Sequence, residues 1–431
     1  MRVGKRFLAL VIAFVVCSAG LIPWALQHQR VTLRVGFPSG SYWNVPSSDS
    51  YTILDAAIER FEQENPNVKV EYTKGILQRD YYEWLIDGFL TGKSPDVFLV
   101  LPENFNDLVA LDALAPLSAC QEEWQPEWYY PAALESGQFQ NEQYALPYEC
   151  VPTMMFVNRT LLEKEGIAMP DENWTWQDFY TLCQQMTKDS NGDGVLDQFG
   201  VYGYTWMDAM TSNGASLFDK DGKSCDLTSQ NAVKAIAFAM SLDRLCEDYP
   251  VKQEDFDLGR VLFQPMPFSE YRAYQPYPWR IKKYSSFEWD CVPMPYAPTG
   301  SNSSELATLQ MAISSRSGHK KLAWKLLKLL TCDPDIQMMV YSDSCACSAL
   351  TSVTQSDTAA ALLRSESLSG NQMNMDQISQ VLKTARAAPR FSNYSQLYTQ
   401  ADALVRAVMS DPDNLSLKLT TAQLELNRQL R

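Results

Sequence analysis

Histidine is nearly absent from this chain: His28 and His319 are the only two in 431 residues. His28 lies beside an N-terminal apolar run, and His319 sits among Gly318, Lys320 and Lys321 at a helix start. Neither is placed for a Ser-His-Asp triad, and no G-x-S-x-G elbow is present. The ten cysteines include no C-x-x-C pair. Their tightest spacing, Cys345-Ala346-Cys347, is too close for half of an ordinary zinc site, so a Cys/His zinc centre is not expected. A phosphate-binding glycine loop is also missing. The nearest approach, Gly88 to Ser94, is one residue short and follows a helix instead of a strand, and Pro95 forbids the helix that such a loop must open. Positive charge is scarce, with 36 Lys and Arg against 51 Asp and Glu, a net charge of -15 and a pI near 4.7. Nucleic acid and anionic membrane surfaces are thereby excluded as partners, whereas a small ligand answers to the local groups of its pocket. The basic and aromatic stretch Trp279 to Tyr284 reads as a solvated loop or lobe surface.

What is present begins with an apolar run from Phe7 to Leu26, preceded by Lys5 and Arg6. About 20 apolar residues can span a bilayer, and the flanking positive charge holds that end in the cytoplasm. Three outcomes stay open: an uncleaved signal anchor, lipidation at Cys17 (preceded by Val16, a poor match to a lipobox), or cleavage after Ser18-Ala19-Gly20. Each exports the chain from about residue 31 onward, where disulfides become chemically permitted. Cys183 and Cys246 fall on apolar helical faces and read as buried thiols.

The exported part is 46% hydrophobic and 20% charged over the whole chain, an ordinary globular composition too long for one core and suited to two lobes. Strand and helix patterns alternate throughout, the mark of α/β layers. The clearest unit is Ile53 to Tyr72. Ile53, Leu54, Ala57, Ile58 and Phe61 share one helical face, and Pro66 ends the helix. Val68, Val70 and Tyr72 then alternate with Lys69 and Glu71 as in a strand. A strand at Val31 to Phe37 feeds the polar loop Pro38 to Asn44, and Pro95 to Leu101 reads as another apolar strand.

Several pieces in order carry a resemblance. They are ILDAAIERFEQENPNVKVEY (53–72), SPDVFLV (94–100), LVALDALAPL (108–117), YALPY (144–148) with the strand to Asn158, Leu161 to Gly166, Pro170, and Trp176. Asn213 to Phe218, the turn Phe256 to Val261, Phe287 to Pro298, Met311 to Ser314 and the helix Lys321 to Leu330 continue it. The whole order after residue 31 resembles the family 1 extracellular solute-binding proteins, the capture subunits of ABC importers.

The resemblance implies a two-lobed α/β fold of the type II periplasmic-binding kind, preceded by the N-terminal hydrophobic helix, with crossings near Tyr148 to Pro152, Met294 to Leu309 and Cys345 to Thr354. The implied divisions are 1–30 for the signal anchor or signal peptide, 31–147 with about 298–347 for the first lobe, and 151–295 with about 352–431 for the second. It further implies a membrane-tethered monomer that captures a carbohydrate, an oligosaccharide by expectation, between its lobes and delivers it to ABC permease subunits. A secreted glycoside hydrolase and a ligand-sensing co-receptor without transport are the alternatives. The hydrolase would need two carboxylates set across the bond, and no motif links such a pair.

Ligands of open α/β sheets meet the loops at strand carboxyl ends. That rule selects Tyr42, Trp43 and Asn44, then Glu103 with Pro102 and Asn104, Tyr148 and Glu149 at the crossing, and Tyr204, Trp206 and Asn213. The family motifs add Ser269, Tyr271, Gln310 and Arg390. Aromatic faces suit the apolar side of a pyranose, and planar polar side chains suit its hydroxyls. Trp176, Trp289 and Trp324 are assigned to packing. No cofactor is required.

One constellation resembles a calcium loop. Asp189, Asn191, Asp193, Val195, Asp197 and Gln198 match the start of an EF-hand-type loop, although Gly200 stands where its bidentate Glu belongs. Similar loops in the family carry structural Ca²⁺. A tight Asn-Gly, Asp-Gly turn before a strand is the alternative.

Overall fold

The computed structural model describes residues 30–43, 45, 51–246, 249–274, 287–367, 371–411 and 413–430. The apolar run at Phe7 to Leu26, Cys17, His28, Asn44 and the Trp279 to Tyr284 stretch lie outside them. No helix of the described residues is long and apolar enough to cross a membrane.

The helix Thr52–Glu64 buries Leu54, Ala57, Ile58 and Phe61, as the periodicity requires. Each such side chain contributes roughly 1.5–3 kcal/mol on full burial. Its stop is made locally: the Asn65 backbone N–H and side-chain amide both donate to the Phe61 carbonyl, and Val68 N–H donates to Asn65 O. Glu62 then accepts a hydrogen bond from Val70 N–H at 2.8 Å, fastening the helix to the strand it feeds.

Strands β1 (Val31–Gly36), β2 (Val68–Tyr72) and β3 (Val97–Val100) pair in parallel. The remaining main-sheet strands are β6 (Ala145–Asn158), β7 (Phe199–Val201), β8 (Val261–Pro267), β9 (Trp289–Val292) and β10 (Leu306–Ile313). They form one eight-stranded mixed sheet in the order β2-β1-β3-β10-β6-β8-β7, with β9 also on β6. A hairpin of β4 (Gln138–Phe139) and β5 (Glu142–Gln143) stands apart.

β6 is the spine. It runs for 14 residues, and its two halves have different partners. Ala145 to Pro152 pair with β10, whereas Thr153 to Val157 pair with β8 and Met155 to Asn158 with β9. The first crossing expected at Tyr148 to Pro152 is therefore no loop; the strand passes straight from one lobe into the other. Pro147 and Pro152 suggest an interruption there because proline cannot donate to a ladder. The ladder absorbs them, with a register shift at Leu309/Gln310 opposite Pro147.

The second passage, from β9 to β10, runs alongside a third strand of chain. Arg386 N–H donates to Ser304 O and Leu306 N–H to Arg386 O, placing Glu305 and Arg386 side by side. Near β6, Cys150 and Cys347 exchange backbone hydrogen bonds of 3.0 and 2.8 Å, so the Cys345 to Thr354 segment also lies at the junction. The helices Tyr394–Ser410 and Leu415–Gln429 bury Leu397, Ala401, Val405, Leu419, Ala422 and Leu426 against the second lobe. All cysteines of the described residues are free thiols, with Cys183 and Cys246 buried as expected.

Candidate functional site

A cavity of about 290 Å³ opens between the lobes. One wall is the helix Pro131–Glu135 with the β4–β5 hairpin tip, where Gln140 and Asn141 both adopt positive φ (50° and 65°). A two-residue hairpin turn of type I′ demands that conformation of both central residues. Gly137 carries this wall: a Cβ there would lie 2.2 Å from Ala145 O at the start of β6, so only glycine lets the hairpin approach the spine so closely.

The opposite wall comes from the helix Trp206–Ser212 and the stretch Ala215 to Asp221, contributing Met207, Thr211 and Phe218. The floor is the junction itself, with Glu305, Arg386, Arg390 and Tyr394. At the mouth, Lys220 of one wall forms an ion pair with Glu135 of the other. Both side chains keep substantial exposure, 84% and 38%, so the pair is worth about 0–1 kcal/mol and is screened by salt. Lys220→Ala is expected to change ligand affinity less than about fivefold, an effect that vanishes in about 0.5 M salt; fluorescence titration at two salt concentrations checks this.

Charge on the floor is unevenly partnered. Arg390 donates from Nη1 to Pro102 O at 2.9 Å and its guanidinium lies 5.2 Å from the centre of the Phe105 ring, but its Nε has no acceptor. Burial lowers its pKa, opposed by Glu305. Glu305 keeps an open face to solvent although protein surrounds it on most sides, as befits a cleft floor. Its pKa is raised, chiefly by desolvation, with Arg390 pulling the other way. Beside them, Tyr42 donates its hydroxyl to Glu103 Oε2 at 2.9 Å, and burial and that carboxylate raise the phenol pKa.

Behind Tyr42 lies a second, smaller pocket of about 60 Å³, lined in part by Tyr42, Tyr148 and Glu149. Trp43 is buried and donates its indole N–H to Glu149 Oε1 at 3.1 Å. Four residues selected from the sequence thus line a cavity, Tyr42, Tyr148 and Glu149 the smaller and Arg390 the larger; Glu103 and Trp43 reach them through hydrogen bonds with Tyr42 and Glu149.

The others occupy structural places. Trp206 is 2% exposed and donates to Asp402 Oδ1 at 2.8 Å. Tyr204 packs edge-on to Phe179 and Phe238. Asn213 is fully buried and donates to Asn231 O. Ser269 and Tyr271 are buried in the helix Phe268–Tyr274, where Tyr271 bonds to Ser367 and Asn371. Gln310 is buried on β10 and donates to Ala133 O. Glu305, Arg386 and Tyr394 line the cavity without having been selected, since Glu305 precedes β10 instead of following a strand and the 385–394 segment, where only Arg390 was chosen by motif, follows none.

The Asp189 to Gln198 loop is closed by its own amides. Asp189 accepts backbone N–H bonds from Asn191, Gly192, Asp193 and Gly194, which lower its pKa. Asp197 accepts from the Ser190 amide and hydroxyl, and Gln198 donates to Met186 O. Among the described residues no group of three or more His, Cys, Asp or Glu is arranged to hold a metal.

Two lobes sharing one long strand, with a cavity walled by both and floored by their junction, define a two-lobed cleft-binding protein. The chain belongs to the bacterial extracellular solute-binding protein family, whose model matches residues 45–334. Membership places it outside the cytoplasm, extracellular or periplasmic, among binding proteins. A protein of Brucella abortus strain 2308, named only as a binding protein, is 24% identical over 289 residues, which are 63% of this chain and 66% of that relative. The fold is shared with the cyclic alpha-maltosyl-1,6-maltose binding protein from Arthrobacter globiformis (TM-score 0.78, 15% identity, 93% of this chain and 99% of that one). It is likewise shared with the sugar-binding protein MalE from Xanthomonas citri (0.72, 16%, 93% and 97%). The ABC substrate-binding protein Lmo0181 from Listeria monocytogenes, in complex with cycloalternan, gives 0.66 at 16% identity over 93% and 98%.

Proposed function

We propose that this chain is the capture component of an ABC importer, that it binds a carbohydrate between its lobes, and that it performs no chemistry on it. The observation that carries this reading is the cavity walled by both lobes, with an aromatic ring and two planar arginine side chains on its floor. The Tyr394 ring, 6.0 Å from that of Tyr398 and edge-on to Phe218, offers a face for a pyranose. Arg386 and Arg390 line the floor, and Arg390 Nε has no acceptor, leaving donors for ring hydroxyls. The saccharide-binding neighbours support the class of ligand. Contacts from both walls exist together only when the lobes are closed, so ligand shifts the population toward closure, a state a permease can read.

Tyr394→Ala is expected to weaken binding about tenfold or more, equivalent to at least about 1.4 kcal/mol. A glycan panel read by thermal shift, followed by calorimetry, tests this; unchanged affinity would remove Tyr394 from the site. Turnover of an oligosaccharide by the purified chain would replace the carrier reading with a hydrolase. An N-terminal signal anchor or signal peptide over 1–30, lobes of 31–147 with about 298–347 and of 151–295 with about 352–431, and a calcium ion at Asp189 to Gln198 belong to the same proposal. An unchanged melting temperature in chelator would remove the calcium.

A further inference from the structure

The small pocket behind Tyr42 has a chemistry unlike that of the main cavity. Its walls hold three aromatic side chains, Phe37, Tyr42 and Tyr148, and two carboxyl groups, Glu149 and Asp343, with no lysine, arginine or histidine. Glu149 is 5% exposed. Its Oε1 accepts the Trp43 indole N–H, but its Oε2 is buried with no partner. An ionised carboxylate oxygen left without a donor in such a place is costly, and a ligand that donates to it recovers that cost.

We propose that this side pocket binds a compact primary ammonium group, with Glu149 Oε2 as its acceptor and the surrounding rings as its cage. An ammonium is a small point charge with three donors, attracted both to a carboxylate and to aromatic faces. At about 60 Å³ the pocket has room for about four water-sized groups, which suits an aminomethyl group and little more. A guanidinium would instead need several acceptors in one plane, and Glu149 offers it a single free oxygen. Titratable groups facing Glu149 are Tyr148, Cys150 and Cys345, none of which carries positive charge, and Asp343 shares the pocket. Among the described residues no cation therefore competes for Glu149.

The group can reach the pocket from two sources. It can be a free small amine, or the amino substituent of a sugar held in the main cavity, because the Tyr42 hydroxyl points to Glu103 near Arg390 while its ring lines the pocket. The assignment stands whether or not the main cavity holds a carbohydrate.

Methylammonium chloride is the probe, titrated by thermal shift and calorimetry near pH 8 against potassium chloride at equal ionic strength and against methanol. Methylammonium is expected to stabilise the chain where potassium and methanol do not. Its affinity should fall about tenfold for each pH unit below about 7, where Glu149 takes up a proton. Glu149→Gln should lose both the binding and its pH dependence, and Tyr42→Leu, which keeps the carboxyl group, should weaken binding. Glucosamine binding at least tenfold tighter than glucose in the wild type, but not in Glu149→Gln, identifies a sugar amine as the source; a response to methylammonium without that preference identifies a free amine. Equal responses to potassium and methylammonium, an unchanged response in Glu149→Gln, or no response in the wild type would overturn the assignment.

Discussion

Glu366→Ala is expected to destabilise the chain by about 3–5 kcal/mol, because it strands a buried guanidinium. The Arg272 side chain is 1% exposed and that of Glu366 20%. Arg272 donates from Nε and Nη2 to the two Glu366 oxygens at 2.9 and 2.7 Å, and from Nη1 to the carbonyls of Tyr341 and Ala346. Its guanidinium also lies 4.1 Å from the centre of the Tyr341 ring. Four of its five N–H donors are thus used, and the helix Phe268–Tyr274 is tied to the helix Asp357–Glu366 and to the Ala346 stretch beside β6. Removing the acid leaves the cation desolvated and half of its hydrogen bonds unmade. Arg272→Met, which removes the charge while keeping much of the stem, is expected to cost less than Glu366→Ala. Urea unfolding of the two variants provides the comparison; equal costs would mean that the pair is not a desolvated one.

The second large effect is in the pH dependence of stability. Burial raises the Glu149 pKa from 4.5 to about 7, partly offset by the nearby Ser344 hydroxyl, whose proton goes to Val340 O, and by the Trp43 indole N–H. Between those values the folded chain holds a proton that the unfolded chain has released. Stability from this group is therefore full below about 4.5 and is lost as pH rises through about 7. The loss amounts to roughly 3 kcal/mol at 1.36 kcal/mol per unit. Glu149→Gln cannot ionise, so its stability should fall less across that window, and at pH 8 it should exceed the wild type. Unfolding free energies at pH 5, 6, 7 and 8 measure the difference. Parallel curves for the two proteins would show that Glu149 titrates normally and that its site is wet.

Local order was readable from the sequence wherever one short stretch decides its own conformation. The helix through Phe61 and the strand Val68–Tyr72 follow from periodicity and Pro66, and appear with those limits. β6 was harder, because Pro147 and Pro152 break the ladder pattern and only the neighbouring strands show that the strand continues. The same division runs through the site. Tyr42 and Glu103 come from segments just after strand ends, where position alone suggests a ligand, whereas Glu149 was selected at an expected crossing and lies within β6. Trp206 sits in a polar stretch, yet its indole turns inward to Asp402, a partner 196 residues away that no local signal announces. Tyr394 and Arg386 were missed for the opposite reason. Their segment gains its place on the floor by pairing with Ser304 and Leu306, a contact between distant parts of the chain. The two arginines of Arg386 to Arg390, just before an aromatic helix start, were the one available hint.

The central claim, a cleft that closes on a carbohydrate without altering it, is tested most directly by small-angle scattering of the purified chain with and without an oligosaccharide selected by thermal shift, with chromatography of the recovered ligand. The account predicts a smaller radius of gyration on binding, loss of that change in Tyr394→Ala, and an intact ligand. An unchanged radius at saturation, or a cleaved ligand, would contradict it.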